Sequence, residues 1–138
     1  MLFLDTSALL KRYVEEDGTE LVLELMAEDP DWAASNLARA ETEVTLCHAG
    51  LGEKAEAAQR RRLRADWERF LVVPVDGPCL LRAAEIGCLH RVRTLDALPL
   101  AAADRLPGPL VFLTFDRRQA AAAKAIGLHL PGDVVSEH

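Results

Sequence analysis

Short apolar runs alternate with longer stretches of helical periodicity along nearly the whole chain. Because strand and helix repeat in this order, the pattern predicts βαβ units with right-handed crossovers. The predicted fold class is α/β, a three-layer sandwich with a central parallel sheet and helices on both faces. Strands are predicted at residues 2–4, 32–34, 71–75 and 110–115, with a last short one at 128–130, and helices at 6–13, 19–26, 37–49, 53–69, 76–88, 96–105 and 117–125.

Length, charge and cysteine content limit the classes of protein that fit. The 138 residues are enough for one domain with its own core, and no apolar run approaches the roughly 18 residues of a membrane span. The net charge of −6 disfavours a protein that coats DNA, but it is compatible with an enzyme whose acidic site binds a cation. The first residues lack the basic region of a secretory signal, and the three cysteines form no CxxC pair. We therefore expect a cytoplasmic protein without disulfides.

Acidic residues follow the first and the fourth predicted strand. Asp5 comes directly after residues 2–4, and Asp116 comes directly after residues 110–115. In an open parallel sheet, ligands bind beyond the carboxyl ends of the strands, so these two acids are candidates for a functional site. Each of them also begins a predicted helix, and the structural alternative is that each is only an N-cap.

Two more acidic positions are candidates for the same edge of the sheet. Asp96 begins the predicted helix 96–105, where helix capping is again an alternative explanation. The predicted helix 37–49 has an apolar stripe, which continues to Leu51 just after the helix. The stripe consists of Leu37, Ala40, Val44, Cys47 and Leu51. Glu41 and Glu43 lie on opposite flanks of that stripe, and the periodicity does not choose between them.

Four converging carboxylates would have a definite chemistry. Crowded anions repel one another, so such a cluster is costly unless a cation neutralises it. Oxygen ligands without His or Cys select Mg²⁺ or Mn²⁺ over zinc. These ions activate water and stabilise the charge that develops in phosphoryl transfer, so the sequence predicts hydrolysis of a phosphate ester.

Four segments together resemble the ordered motifs of PIN domains, and more narrowly those of VapC, the ribonuclease toxin of VapBC toxin–antitoxin pairs. The segments are residues 4–9 (LDTSAL), 35–41 (SNLARAE), 94–98 (TLDAL) and 113–118 (LTFDRR). They follow the family's order and extend over nearly the whole chain. The resemblance implies a single PIN-like nuclease domain over residues 1–138.

The resemblance also implies which residues act. It implies a Mg²⁺- or Mn²⁺-dependent endoribonuclease whose catalytic, metal-binding acids are Asp5, Glu41, Asp96 and Asp116. It selects Glu41 over Glu43, because the family's glutamate falls six residues after the serine that Ser35 matches. Ser7 matches a hydroxyl position that supports the first aspartate, and Thr114 lies beside the last one. The sequence departs from the family at Pro99, where a histidine is frequent.

Partners follow from the same resemblance. It implies an RNA substrate, a homodimer and a cognate VapB-like antitoxin that blocks the site, and the net charge suits an inhibitor with a basic segment. Arg39, Arg117 and Arg118 lie nearest the predicted site and are candidate RNA contacts.

Two rival functions remain open. In a haloacid-dehalogenase-like phosphatase, an aspartate follows the first strand as Asp5 does, but a second aspartate is needed where Ser7 stands. A catalytically degenerate PIN fold could serve as a binding module, although all four acids are present.

Overall fold

The computed structural model describes residues 1–132 of the chain. Its strands are β1 (Leu2–Leu4), β2 (Trp32–Ser35), β3 (Leu71–Val73) and β4 (Val111–Leu113), and its helices are α1 (Thr6–Leu10), α2 (Thr19–Glu28), α3 (Leu37–Cys47), α4 (Glu53–Trp67), α5 (Gly77–His90), α6 (Thr94–Asp104) and α7 (Arg117–Ala125). The predicted alternation of strands and helices is confirmed.

The four strands form one parallel sheet in the order β3-β2-β1-β4. Leu2 of β1 is paired with Trp32 of β2 on one side and with Val111 of β4 on the other. Because β1 and β4 are adjacent and parallel, their carboxyl ends reach the same edge of the sheet. The residues that follow Leu4 and Leu113 are therefore neighbours, although more than one hundred positions separate them in the sequence.

Helices cover both faces of the sheet, which confirms the three-layer arrangement. Leu2 and Leu4 point to a core that they share with buried residues of α1 to α4. Phe3 points to the opposite core, where it stacks on Phe112 with ring centroids 5.5 Å apart and packs among buried residues of α5, α6 and α7. All three β1 residues are buried, as expected for a central strand with helices on either side.

Several predicted boundaries were wrong for identifiable reasons. The helix predicted at 96–105 begins at Thr94, because the Arg93 carbonyl already accepts hydrogen bonds from the amides of Asp96 and Ala97. Pro99 consequently lies inside α6 and not in its first turn. The strand predicted at 128–130 is reduced to one bridge between Val111 and His129, since the chain turns at 131–132.

The buried face of α3 also differs from the predicted stripe. Its buried residues are Ala38, Thr42 and Leu46, whereas Val44 is 58% exposed and Cys47 is exposed. The prediction assigned the stripe by hydrophobicity, but the i, i+4, i+8 spacing of the actual face includes a threonine. Glu41 and Glu43 still lie on opposite flanks, because they precede and follow Thr42. Within residues 1–132, no helix combines the length and the apolar character that crossing a bilayer requires.

Candidate active site

Asp5, the residue after β1, is a buried carboxylate that has no cationic partner within residues 1–132. Its side chain is 6% exposed. One carboxylate oxygen accepts hydrogen bonds from the Ser7 hydroxyl at 2.7 Å and the Ala8 amide at 3.0 Å, and the other accepts from the Thr114 hydroxyl at 2.9 Å. Burial, with a smaller contribution from the negative charge of Asp116, raises the pKa of Asp5 to about 6 despite these hydrogen bonds.

Thr114 connects Asp5 to a buried glutamine that the sequence analysis missed. The Thr114 hydroxyl lies 2.6 Å from the Gln119 side-chain oxygen as well as 2.9 Å from Asp5. Gln119 is 2% exposed, and its amide nitrogen donates to the Asp96 carbonyl at 2.8 Å. The signal in the sequence was a lone polar residue beside the alanine run 120–123. Gln119 thus links the elements that carry three of the predicted acids.

Asp116 caps a helix and also lies at the edge of the sheet where the site is predicted. One of its oxygens caps α7 by accepting from the Gln119 backbone amide at 3.0 Å. Its own amide donates to the Thr114 hydroxyl at 3.1 Å, which fixes the turn after β4. The cap role that the sequence offered as an alternative is therefore present, and it does not remove Asp116 from the edge of the sheet, because its electrostatic effect reaches Asp5.

The two glutamates of α3 have different surroundings. The Thr6 hydroxyl, at the start of α1, donates to Glu41 at 2.7 Å. Glu43 has arginine neighbours instead: its carboxylate lies 3.9 Å from Arg39 and 3.8 Å from Arg60. Glu41 is thereby tied to the residue that follows Asp5, whereas Glu43 lies beside basic side chains of α3 and α4.

Asp96 lies in the first turn of α6 and not at its cap. The cap position belongs to Arg93, whose side chain makes no capping hydrogen bond, so the capping alternative for Asp96 is wrong. The Asp96 carboxylate is free for another role, and its nearest cation is the Arg93 guanidinium at 3.9 Å.

Three of the predicted acids line one cleft. Glu41, Asp96 and Asp116 surround a space of about 430 Å³ together with residues 93–95, and we call this space the acid cleft. Asp5 is not among the lining residues, and it connects to the cleft through Thr114 and Asp116. In residues 1–132, no three His, Cys, Asp or Glu side chains are grouped closely enough to enclose a single metal ion. The acids surround the cleft without forming a closed ligand cage.

The predicted RNA contacts fall in two places. Arg117 and Arg118, at the start of α7, line a second pocket that also contains Asp96 and Asp116. Arg39 is drawn toward Glu43 on α3 instead. The structure therefore brings Arg117 and Arg118, but not Arg39, to the border of the acid cleft.

Comparison with known proteins agrees with this architecture. Residues 2–125 match the PIN domain family. The chain is 36% identical to ribonuclease VapC46 over 129 residues and 32% identical to ribonuclease VapC47 over 132 residues, both of Mycobacterium tuberculosis, and each alignment covers 92% of this chain and 93% of the relative. A toxin–antitoxin complex from Klebsiella pneumoniae has the same fold, with a TM-score of 0.67, 20% identity and coverage of 88% and 91% of the two chains. The chain belongs to the PIN-domain family and, within it, to the VapC group.

Proposed function

We propose that this protein is a Mg²⁺- or Mn²⁺-dependent endoribonuclease and the toxin of a toxin–antitoxin pair. The observation that carries the proposal is the acid cleft, where Glu41, Asp96 and Asp116 face one space beside the uncompensated Asp5. Its two VapC relatives are named ribonucleases, which supports RNA as the substrate.

The donor set of the cleft fits a hard divalent cation. Its ligands would be the carboxylates of Glu41, Asp96 and Asp116, which line the cleft, together with that of the adjoining Asp5, and no histidine or thiolate is among them. Magnesium needs only one or two carboxylates and retains several waters, so an open ring of acids suits it better than a closed cage. When bound, such an ion offsets the negative charge of the acids and of the reacting phosphate.

The chain's own side chains would orient the reactants. Ser7, Thr114 and the Ala8 amide hold Asp5 in one orientation. Thr6 holds one oxygen of Glu41, which leaves the second oxygen to accept a hydrogen bond from the attacking water. The water oxygen then forms a bond to phosphorus and gives a proton to Glu41, while one ester P–O bond of the RNA breaks and the leaving ribose oxygen takes up a proton from solvent.

Partners and location complete the proposal. We infer a VapB-like antitoxin that covers the cleft, and a homodimer as the assembled state. The net charge of −6 favours an inhibitor with basic residues. The three cysteines are unpaired in the structure, which supports a reducing, cytoplasmic location.

Two glutamates of one helix give the experiment a matched control. Glu41→Gln and Asp96→Asn should each lower the rate of RNA cleavage by about 100-fold or more, because each removes a charge of the acid cleft. Glu43→Gln changes the same residue type two positions away, beside Arg39 and Arg60, and should cleave like the wild type. Cleavage should require added Mg²⁺ or Mn²⁺ and should stop in excess EDTA.

The opposite results would each reject a specific part of the proposal. Full activity of the wild type in EDTA would exclude the metal. If Glu41→Gln were active and Glu43→Gln were inactive, the proposed site would be on the wrong side of α3. RNA that is bound but never cut would favour the degenerate binding module, and hydrolysis of small phosphomonoesters alone would favour the phosphatase.

A further inference from the structure

Four arginines line a pocket that adjoins the acid cleft. The pocket encloses about 280 Å³ and is lined by Arg91, Val92, Arg93, Asp96, Asp116, Arg117 and Arg118, and we call it the arginine pocket. It shares Arg93, Asp96 and Asp116 with the acid cleft. On its far side, Arg91 and Arg118 also line a groove of about 410 Å³ that includes His90, Ala121 and Ala122. The arginine pocket therefore shares lining residues with the depression on each side of it.

The charges of the pocket are not balanced within the chain. Arg91, Arg117 and Arg118 are exposed and form no ion pair with any residue in the described part of the chain. Elsewhere in the described residues, five arginines are paired with carboxylates, and four others along α4 and just after it are not: the paired ones are Arg12, Arg39, Arg60, Arg82 and Arg105, and the others are Arg61, Arg62, Arg64 and Arg69. What sets Arg91, Arg117 and Arg118 apart is that they line one pocket beside the acidic site of a protein whose net charge is −6. Guanidinium groups match the geometry of phosphate oxygens through paired hydrogen bonds.

The backbone of Arg91 supplies a separate observation. Arg91 ends α5 in the left-handed conformation, with φ 55°, and among residues 1–132 it is the only residue other than glycine with a positive φ. Glycine is the usual residue at this position of a helix end, because a Cβ is disfavoured there. The next segment packs closely, since a Cβ on Gly87 would lie 3.1 Å from the Val92 carbonyl. The chain thus places a long cation where the backbone alone favours glycine.

We propose that the arginine pocket binds a backbone phosphate of the RNA strand, next to the phosphate that lies in the acid cleft, with Arg91, Arg117 and Arg118 as its contacts. This inference rests on the proposed ribonuclease function. The strand would run from the acid cleft through the arginine pocket toward the groove lined by His90. Such contacts fix the position of the strand and do not read its sequence.

The backbone conformation of Arg91 gives a variant that removes the cation without endangering the fold. Arg91→Gly should melt at the wild-type temperature or above, because glycine suits the left-handed position. Binding of a fluorescently labelled single-stranded RNA in EDTA should weaken about tenfold at low salt, and the slope of log Kd against log salt should fall by about 0.7. Arg91→Lys should keep most of the affinity.

Arg61 is the matched control, since it is an exposed arginine on α4 that lines none of these three depressions. Arg61→Ala should bind RNA with the wild-type affinity and salt slope. Arg117→Ala and Arg118→Ala should weaken binding as Arg91→Gly does. A change at Arg93 would affect the acid cleft as well as the arginine pocket, because Arg93 lies 3.9 Å from Asp96.

Wild-type affinity and salt slope in Arg91→Gly would overturn the proposal. Unchanged RNA binding together with weaker binding of polyglutamate would overturn it as well, and would assign the pocket to an acidic protein segment. The two proposals fail separately. If Arg91→Gly loses RNA affinity but the wild type never cleaves RNA with Mg²⁺, only the ribonuclease proposal fails. If the wild type cleaves RNA and Arg91→Gly has the wild-type KM, only the proposal for the arginine pocket fails.

Discussion

Two buried aspartates, Asp5 and Asp66, have opposite electrostatic surroundings. Asp66, near the end of α4, accepts hydrogen bonds from Arg12 at 2.8 Å and from the Tyr13 hydroxyl at 2.7 Å. Burial opposes its ionisation, but these hydrogen bonds and the charge of Arg12 outweigh burial and lower the pKa of Asp66. Asp5 receives only neutral donors and sits near Asp116, so its pKa is raised to about 6.

The difference distinguishes an acid that the fold neutralises from the acid that we propose to act in the site. Asp66 is neutralised inside the chain, and its ion pair joins α4 to the end of α1. The carboxylate of Asp5 makes no ion pair with any residue from 1 to 132, and we propose that a cation from solution offsets its charge. A buried charge without a partner is costly, and proteins accept that cost where the site has a function.

The largest effect on stability is expected at Asp66. Asp66→Asn keeps the shape of the side chain but leaves Arg12, whose side chain is only 15% exposed, without its counter-charge. Breaking a buried pair in this way costs about 3–5 kcal/mol, and urea unfolding at pH 7 should report a loss near the lower end. Because the folded pKa is lowered, the pair's contribution is present above the ordinary value of 3.8 and is lost as the pH falls through the folded pKa. A loss that is equally large at pH 2.5 would contradict this assignment.

The matching change at Asp5 should act in the opposite direction. The folded pKa of Asp5 is raised from 3.8 to about 6, so the folded protein binds an extra proton between these values. That contribution is complete below about pH 4 and is lost as the pH rises through 6, which corresponds to about 3 kcal/mol. In EDTA, Asp5→Asn should therefore be more stable than the wild type by up to about 3 kcal/mol at pH 8, and nearly equal to it at pH 4.

Asparagine can replace Asp5 without loss of its hydrogen bonds. In the wild type the Thr114 hydroxyl donates to the second Asp5 oxygen, and in Asp5→Asn the side-chain NH₂ group can donate to that hydroxyl instead. Asp31→Asn removes an exposed acid at the start of β2 and is the control. Equal stability changes for Asp5→Asn at both pH values would show that the Asp5 carboxylate is not held at a cost.

A smaller effect is expected from metal at Asp116. Mg²⁺ at a hundredfold excess over Kd should stabilise the wild type by about 2.7 kcal/mol. Asp116→Asn should lose most of this increment, while its metal-free stability stays equal or rises, since Asn caps a helix nearly as well as Asp. Thermal melting with and without Mg²⁺ measures both quantities. The full increment in Asp116→Asn would reduce Asp116 to a helix cap.

The three-layer fold and the acids that follow the strands could be predicted from the sequence, because the position of a residue at a strand end depends on chain order alone. It could not identify the buried face of α3, where Thr42 replaces the apolar residue that the periodicity requires. Asp66 lies in a run of charged residues typical of a solvated helix, and only the tertiary contact with Arg12 and Tyr13 shows it to be buried. The sequence shows Gln119 only as a polar residue beside the alanine run 120–123, and its role depends on partners from the turn after β4 and from α6.

The most direct test is to follow the two aspartates by carboxyl ¹³C NMR, with assignments from Asp5→Asn and Asp66→Asn. In EDTA, Asp5 should titrate with a midpoint near 6 and Asp66 with a midpoint below 3.8. Addition of Mg²⁺ should lower the midpoint of Asp5, because the cation favours the carboxylate, and should leave Asp66 unchanged. Two ordinary midpoints in EDTA, or an Asp5 midpoint that Mg²⁺ does not move, would contradict the account.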